Sequence, residues 1–142
     1  MESLVEDARA RGAHVLTGGA RPAGPGWFYP PTVIGGITRD MRLFAEEAFG
    51  PVASMYRVAS IDEALDLANE LEFGLGSAFW SNDAAEVDAA IDRIEAGAVF
   101  VNGMTISYPE LPFGGIKRSG HGRELAGEGI REFCNLKTVW VA

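Results

Sequence analysis

Apolar residues in the first dozen positions, Leu4, Val5 and Ala8, recur at helical spacing, and Gly12 then offers a stop, so residues 2–11 read as a helix. His14 to Leu16 reads as a short strand running into Gly18 and Gly19. Residues 19–30, rich in glycine and proline, read as a loop in which Trp27, Phe28 and Tyr29 cover apolar surface, and Pro31 to Ile34 is a second extended piece. From position 52 the pattern becomes regular. Val52 to Val58 is apolar and β-rich, and Ser60 with Glu63 three residues later forms a capping box. The helix it opens carries an apolar stripe of Ile61, Ala64, Leu65, Ala68 and Leu71. Gly74 and Gly76 close that unit, and Ser77 to Trp80 is a strand. Ser81 or Asn82 caps the next helix, striped by Val87, Ala90, Ile91 and Ile94, with Gly97 where a C′ glycine belongs. Ala98 to Val101 is a third strand. Short strands alternating with helices of about eleven to fourteen residues predict an α/β fold, with right-handed βαβαβ units and a mainly parallel sheet.

Composition narrows the partners. The 142 residues can bury a real core, and 47% hydrophobic with 23% charged residues is ordinary for a soluble globular chain. A net charge of −8 leaves no basic face to neutralise phosphates, which argues against nucleic acid and against anionic membrane surfaces. The N-terminal MESLVEDARARG lacks the apolar centre of a signal peptide, and no run approaches the roughly 18 apolar residues of a membrane span. The single cysteine, Cys134, excludes an intrachain disulfide and reads as a small half-buried hydrophobe. A cytoplasmic protein is the expectation.

Candidate chemistry gathers in two places. LPFGGIKRSGHGRE at 111–124 places glycines, a proline, an aromatic ring and four charged residues in a segment unsuited to helix or strand. It comes after the strand-end sequence VFVNG at 99–103, and ligands of parallel sheets bind beyond the carboxyl ends of strands. The loop after Asn102 is therefore placed for substrate work, although Asn102 itself reads as a turn residue. Upstream, EEAFGPV at 46–52 carries two glutamates that alone would read as a solvated face. Lys117, Arg118, His121 and Arg123 form a small basic cluster whose structural reading outweighs a ligand clamp. No GxGxxG and no phosphate-binding P-loop occurs.

These three pieces, in this order and at this spacing, resemble the C-terminal part of the aldehyde dehydrogenase superfamily. The resemblance runs from GAHVLTGG at 12–19 to KTVWV at 137–141. It implies an NAD- or NADP-dependent enzyme that oxidises a small aldehyde to a carboxylate. By the same resemblance, Glu47 hydrogen-bonds the nicotinamide-side ribose and Phe49 packs near the nicotinamide. Phe113 would line the substrate tunnel. Ser107, five positions after Asn102 and five before Pro112, resembles the serine with which succinate-semialdehyde dehydrogenases hold the far carboxylate, so succinate semialdehyde is the expected substrate. The family's cysteine nucleophile and general-base glutamate match nothing in this chain, so no catalytic residue is assigned and the chain alone is expected to be inactive. Residues 1–134 would then be part of the catalytic domain, with 135–142 an oligomerisation strand pairing with a neighbouring subunit, in a homo-oligomer or with the remaining part of the dehydrogenase. The competing reading is a non-catalytic assembly module, which the missing nucleophile and an initial Met1 would suit.

Overall fold

The computed structural model describes Met1–Ala142, and the chain divides into two compact units, Met1–Val58 and Ala59–Ala142. The first unit contains α1 (Glu2–Ala10), β1 (His14–Thr17), β2 (Thr32–Gly35), α2 (Arg42–Ala45) and β3 (Val52–Met55). Its sheet runs β1-β2-β3, antiparallel between β1 and β2 and parallel between β2 and β3. The helical periodicity at the N-terminus does what it predicts: Leu4, Val5 and Ala8 are buried against Ile34, Met41 and Leu43. Gly12, at φ 98°, makes the left-handed stop that a Cβ would strain. Thr32 is buried with both hydroxyl functions used, accepting from the Gly19 N–H at 2.8 Å and donating to the Pro30 carbonyl at 2.9 Å. Of the three aromatics expected to cover apolar surface, only Tyr29 packs on the core. Trp27 is 95% exposed, on a turn where Gly24 and Gly26 take positive φ, and the Arg21 guanidinium faces its ring instead.

The α1 and α2 helices are joined by one carboxylate. Asp7 accepts from the Arg42 backbone N–H and from the Arg11 guanidinium, each at 3.0 Å. No side chain of its own caps α2, so a residue 35 positions away supplies the acceptor for its first turn. The Arg42 N–H, then Arg11, holds the Asp7 carboxyl below its usual value.

The second unit contains α3 (Ile61–Asn69), β4 (Phe73–Gly74), β5 (Gly76–Phe79), α4 (Ala84–Arg93), β6 (Ala98–Val101), β7 (Ile116–Lys117) and α5 (Ala126–Glu132). The β5–α4–β6 stretch is a parallel βαβ unit, with Gly76 opposite Ala98 and Phe79 opposite Val101. The single mainly parallel sheet expected from the pattern is replaced by three small ones: β1-β2-β3, an antiparallel β4-β7 pair and the β5-β6 pair. The α/β alternation is real, but the strand next after α3 is the two-residue β4, which pairs with the later loop rather than with a parallel neighbour. Residues 135–142 form neither helix nor strand, and Leu136 is 97% exposed. No helix is long and apolar enough to cross a membrane.

Capping agrees closely with the sequence at α3 and shifts at α4. The Ser60 hydroxyl accepts from the Glu63 N–H at 3.2 Å, while the Glu63 carboxylate reaches one residue further back than expected, to the Ala59 N–H at 2.7 Å. At α4 the cap is Asp83, not Ser81 or Asn82, because its carboxylate accepts from both Ala85 and Glu86 N–H groups and complements the helix dipole. Arg93 ties the two helices together by pairing with Asp62 and Asp66. Ala90 is the buried residue of α4, whereas Ile91 is 53% exposed. Gly97 is not a C′ glycine, since α4 ends at Arg93 with an extended Ile94. Its role is close approach: a Cβ there would overlap the Gly114 carbonyl oxygen and lie 3.0 Å from that of Leu75.

Two outcomes are expected. Gly97→Ala forces the 112–116 segment away from β6, at a cost of about 1–3 kcal/mol in urea unfolding, and an unchanged midpoint would contradict the contact. Asp7→Asn lowers the urea midpoint at neutral pH. A depressed carboxyl contributes stability above its ordinary value of 3.8 and loses it as pH falls through the folded value, so the gap from wild type closes in stronger acid. A gap of equal size at both pH values would show that charge is not what Asp7 contributes.

Candidate functional site

In the first unit the site segment begins where α2 ends. Glu46 turns the chain into extended backbone (φ −94°, ψ 135°), and its carboxylate holds Arg42 through two bonds of 2.7 and 2.8 Å. Those bonds hold the Glu46 carboxyl below its usual range and commit that residue to structure. Extended backbone alternates side chains. Ala48 packs against the core, which leaves Glu47 and Phe49 on either side of it exposed, Phe49 at 89%. The structure thus places an exposed carboxylate and an exposed aromatic face two residues apart on a loop anchored by Ala48 and Glu46. A carboxylate can accept from two vicinal hydroxyls, and a flat ring can lie against another.

In the second unit β6 delivers the chain to Asn102, whose φ of 53° ends the strand. The loop beyond it carries Ser107, exposed, and leads to Phe113, half-buried. Phe113 is fixed by main chain: its N–H donates to the Glu124 carbonyl at 2.8 Å and its carbonyl accepts from the Glu124 N–H at 2.6 Å. It borders an open cavity of about 300 Å³ that His121, Arg123, Glu132 and Phe133 also line. Ser107 does not border that cavity.

The basic cluster is spent on the loop itself. The Lys117 ammonium donates to the carbonyls of Asn69 and Leu71, at 2.7 and 3.2 Å, and pairs with Glu95 at 2.6 Å. Arg118 pairs with Glu72 at 2.7 Å and lies over the Phe73 ring. Arg123 donates to the carbonyls of Gly115 and Gly122, at 3.0 and 2.6 Å, and so holds the two strands of the glycine loop together. His121 remains exposed at the cavity rim. Cys134 is exposed rather than half-buried, because it sits on the turn directly after α5, with its sulfur 3.4 Å from the Ile130 carbonyl. No group of three His, Cys, Asp or Glu side chains is arranged to hold a metal.

Two residues shape this site in ways beyond their local patterns. Asn102 was legible as a turn residue, but its side chain also bonds both main-chain groups of Ser81. Gly76 was legible as an element end, yet it is also the seat of Thr105, whose methyl would lie 2.7 Å from a Cβ there. An asparagine before a glycine at a strand end was the available signal for the first. Nothing local signals the second.

The chain matches the model of the aldehyde dehydrogenase family over residues 1–139. It is 68% identical over 137 residues to succinate-semialdehyde dehydrogenase [NADP(+)] 1 of Mycobacterium ulcerans (strain Agy99), a match that takes in 96% of this chain and 30% of that protein. Among solved structures it is similar to the succinic semialdehyde dehydrogenase from Streptococcus pyogenes in complex with NADP+, with a TM-score of 0.90, 39% identity, and coverage of 99% of this chain and 31% of that one. It is also similar to the betaine aldehyde dehydrogenase from Staphylococcus aureus in complex with NAD+, with a TM-score of 0.86, 37% identity, and coverage of 93% and 27%. The chain spans about 30% of the length of the curated relatives it matches. With the family model matching nearly its whole length, and the same fold recurring in these enzymes, this chain belongs to the aldehyde dehydrogenase family.

Proposed function

We propose that this chain is the C-terminal portion of an NAD- or NADP-dependent aldehyde dehydrogenase that oxidises succinate semialdehyde to succinate. The observation that carries the reading is the loop after β6, which brings a serine hydroxyl and an aromatic ring into one short segment, in a chain 68% identical to a succinate-semialdehyde dehydrogenase. The nucleophilic cysteine and the general base belong to the rest of the enzyme, since the one thiol here, Cys134, lies exposed on the turn after α5 with its sulfur directed at the Ile130 carbonyl.

The exposed carboxylate of Glu47 and the exposed ring of Phe49 fit the ribose and nicotinamide of a dinucleotide. The chemistry such a cofactor supplies when bound is acceptance of a hydride. Glu47 accepts hydrogen bonds from the ribose hydroxyls, and Phe49 limits the volume the ring can occupy. The Ser107 hydroxyl donates a hydrogen bond to the substrate's distal carboxylate, alongside a cationic group elsewhere in the enzyme, since one hydroxyl is a weak anchor for an anion. Phe113 walls the substrate tunnel. Residues 135–142, which have no strand partner within the chain, pair by main-chain hydrogen bonds with a neighbouring subunit.

In the full-length enzyme carrying this segment, Glu47→Gln removes one charge-assisted contact. The expected result is a KM for cofactor or a hydride-transfer rate worse by about ten- to a hundredfold. Steady-state constants equal to wild type for both cofactor and aldehyde would remove Glu47 from the ribose. Ser107→Ala tests the substrate. The ratio of kcat/KM for succinate semialdehyde to that for butanal should fall by about ten- to a hundredfold, because only one of the two carries a carboxylate. An unchanged ratio would leave the family standing and remove the succinate-semialdehyde assignment.

A further inference from the structure

Asn102 does more than end a strand. Its backbone N–H still donates to the Phe79 carbonyl at 2.8 Å, as a residue of the β5–β6 ladder would. Its φ of 53° then turns the main chain away, so the next ladder bonds cannot come from backbone. The side chain supplies them. Asn102 Oδ1 accepts from the Ser81 N–H at 3.1 Å, and its Nδ2 donates to the Ser81 carbonyl at 3.0 Å.

Ser81 is itself fixed. Its hydroxyl donates to the Glu86 carboxylate at 2.6 Å and accepts from the N–H of Asp83, the residue that caps α4. The root of the 103–112 loop is thereby keyed to the first turn of a helix. A second pin lies three residues on, where the Thr105 methyl rests over Gly76, with room for no side chain beneath it. On the far side the loop is held by main chain, Leu111 N–H to the Tyr108 carbonyl and Ala126 N–H to the Pro109 carbonyl, each at 3.0 Å. Ser107 stands between the two sets of restraints.

We propose that Asn102 is a positioning residue for substrate specificity: its amide clamp on Ser81 sets where Ser107 presents its hydroxyl to the substrate carboxylate. This rests on the reading of Ser107 given above. The physical reason is lever length. Ser107 lies five positions beyond Asn102, and each residue can span up to about 3.3–3.6 Å, so a small rotation at the root becomes a large displacement of the hydroxyl. Hydrogen bonds weaken steeply off axis, so a hydroxyl that wanders holds an anion poorly. Asparagine suits both tasks, because it tolerates positive φ and carries a donor and an acceptor in one plane. Glycine would satisfy the first task without the second, which separates strain from clamping.

The test is a coupling experiment in the full-length enzyme, with Asn102→Gly, Ser107→Ala and the double variant assayed on succinate semialdehyde and butanal. Asn102→Gly should lower the specificity ratio by roughly three- to tenfold, through KM for succinate semialdehyde rather than kcat. In the Ser107→Ala background it should lower the ratio no further, since the group it positions is gone. A ratio unchanged by Asn102→Gly, or a fall of the same size in both backgrounds, overturns the inference while Ser107 keeps its role. An unchanged ratio for Ser107→Ala alone overturns both. Should Asn102→Gly fail to assemble, Asn102→Asp keeps the acceptor for the Ser81 N–H, loses the donor to its carbonyl, and must show the same coupling to Ser107; additivity there rejects the proposal equally.

Discussion

The second unit is organised around backbone packed directly on backbone. Gly97 meets the Gly114 carbonyl so closely that no side chain fits, and a Cβ on Gly74 would lie 2.6 Å from the Glu95 carbonyl oxygen. Gly74 in turn accepts from the Gly97 N–H at 3.0 Å and donates to the Ser119 hydroxyl at 2.9 Å. Peptide groups brought this close must be hydrogen-bonded, since an unpaired one would cost about 1–3 kcal/mol. The loop answers with Lys117 on the carbonyls of Asn69 and Leu71, and Arg123 on those of Gly115 and Gly122. Phe113 sits beside this contact, since the next residue, Gly114, is the one that meets Gly97.

That arrangement explains how an acidic protein keeps a local run of cations. Lys117 and Arg123 are spent on carbonyl oxygens at and just after the end of α3 and within the glycine loop, and Arg118 on Glu72, which leaves His121 exposed. The carboxylates are spent in the complementary way. Asp83 and Glu63 sit at helix N-termini, Asp7 supplies the first turn of α2, and Asp62 and Asp66 hold Arg93 across two helices. Much of what composition records as surface charge is therefore capping and cross-bracing. Exposed pairs of this kind contribute little energy each, roughly 0–1 kcal/mol, but they fix directions.

The sequence was most legible where the physics is local. The periodicity of Leu4, Val5 and Ala8, the Ser60 cap, the left-handed Gly12 and the α/β alternation are decided within a few residues, and the fold keeps them. What failed was decided across the fold. Gly97 looks like a helix stop because it comes after an apolar stripe, yet its constraint comes from a carbonyl seventeen positions later. Asp83 prevailed over Ser81 and Asn82 as a cap because it collects two N–H donors, leaving Ser81 to hold the cap and Asn102 together. The alternation of strands and helices could not show that β4 would choose β7, since both are two residues long and pair across a long loop. At the site the residue types were legible and their supports were not. Glu47 and Phe49 were singled out, while the burial of Ala48 that leaves both exposed is a property of the core.

The two candidate-site loops are anchored differently, and that difference bears on which of their side chains are free to vary. The Glu47–Phe49 segment is held by side chains: Glu46 on Arg42 and Ala48 in the core. Substituting Ala48 or Glu46 disturbs that anchoring, whereas Glu47 and Phe49 stand clear of the core and are held in place by their neighbours. The 103–112 loop is held mostly by backbone bonds and by Asn102 at its root, while Met104, Ile106, Ser107 and Tyr108 are exposed and none has a side-chain bond to the rest of the fold. Side chains there can change with little penalty to folding, because they carry almost none of the anchoring. A loop of that kind separates folding from surface chemistry: the frame fixes its path, and the side chains between the pins are free to vary.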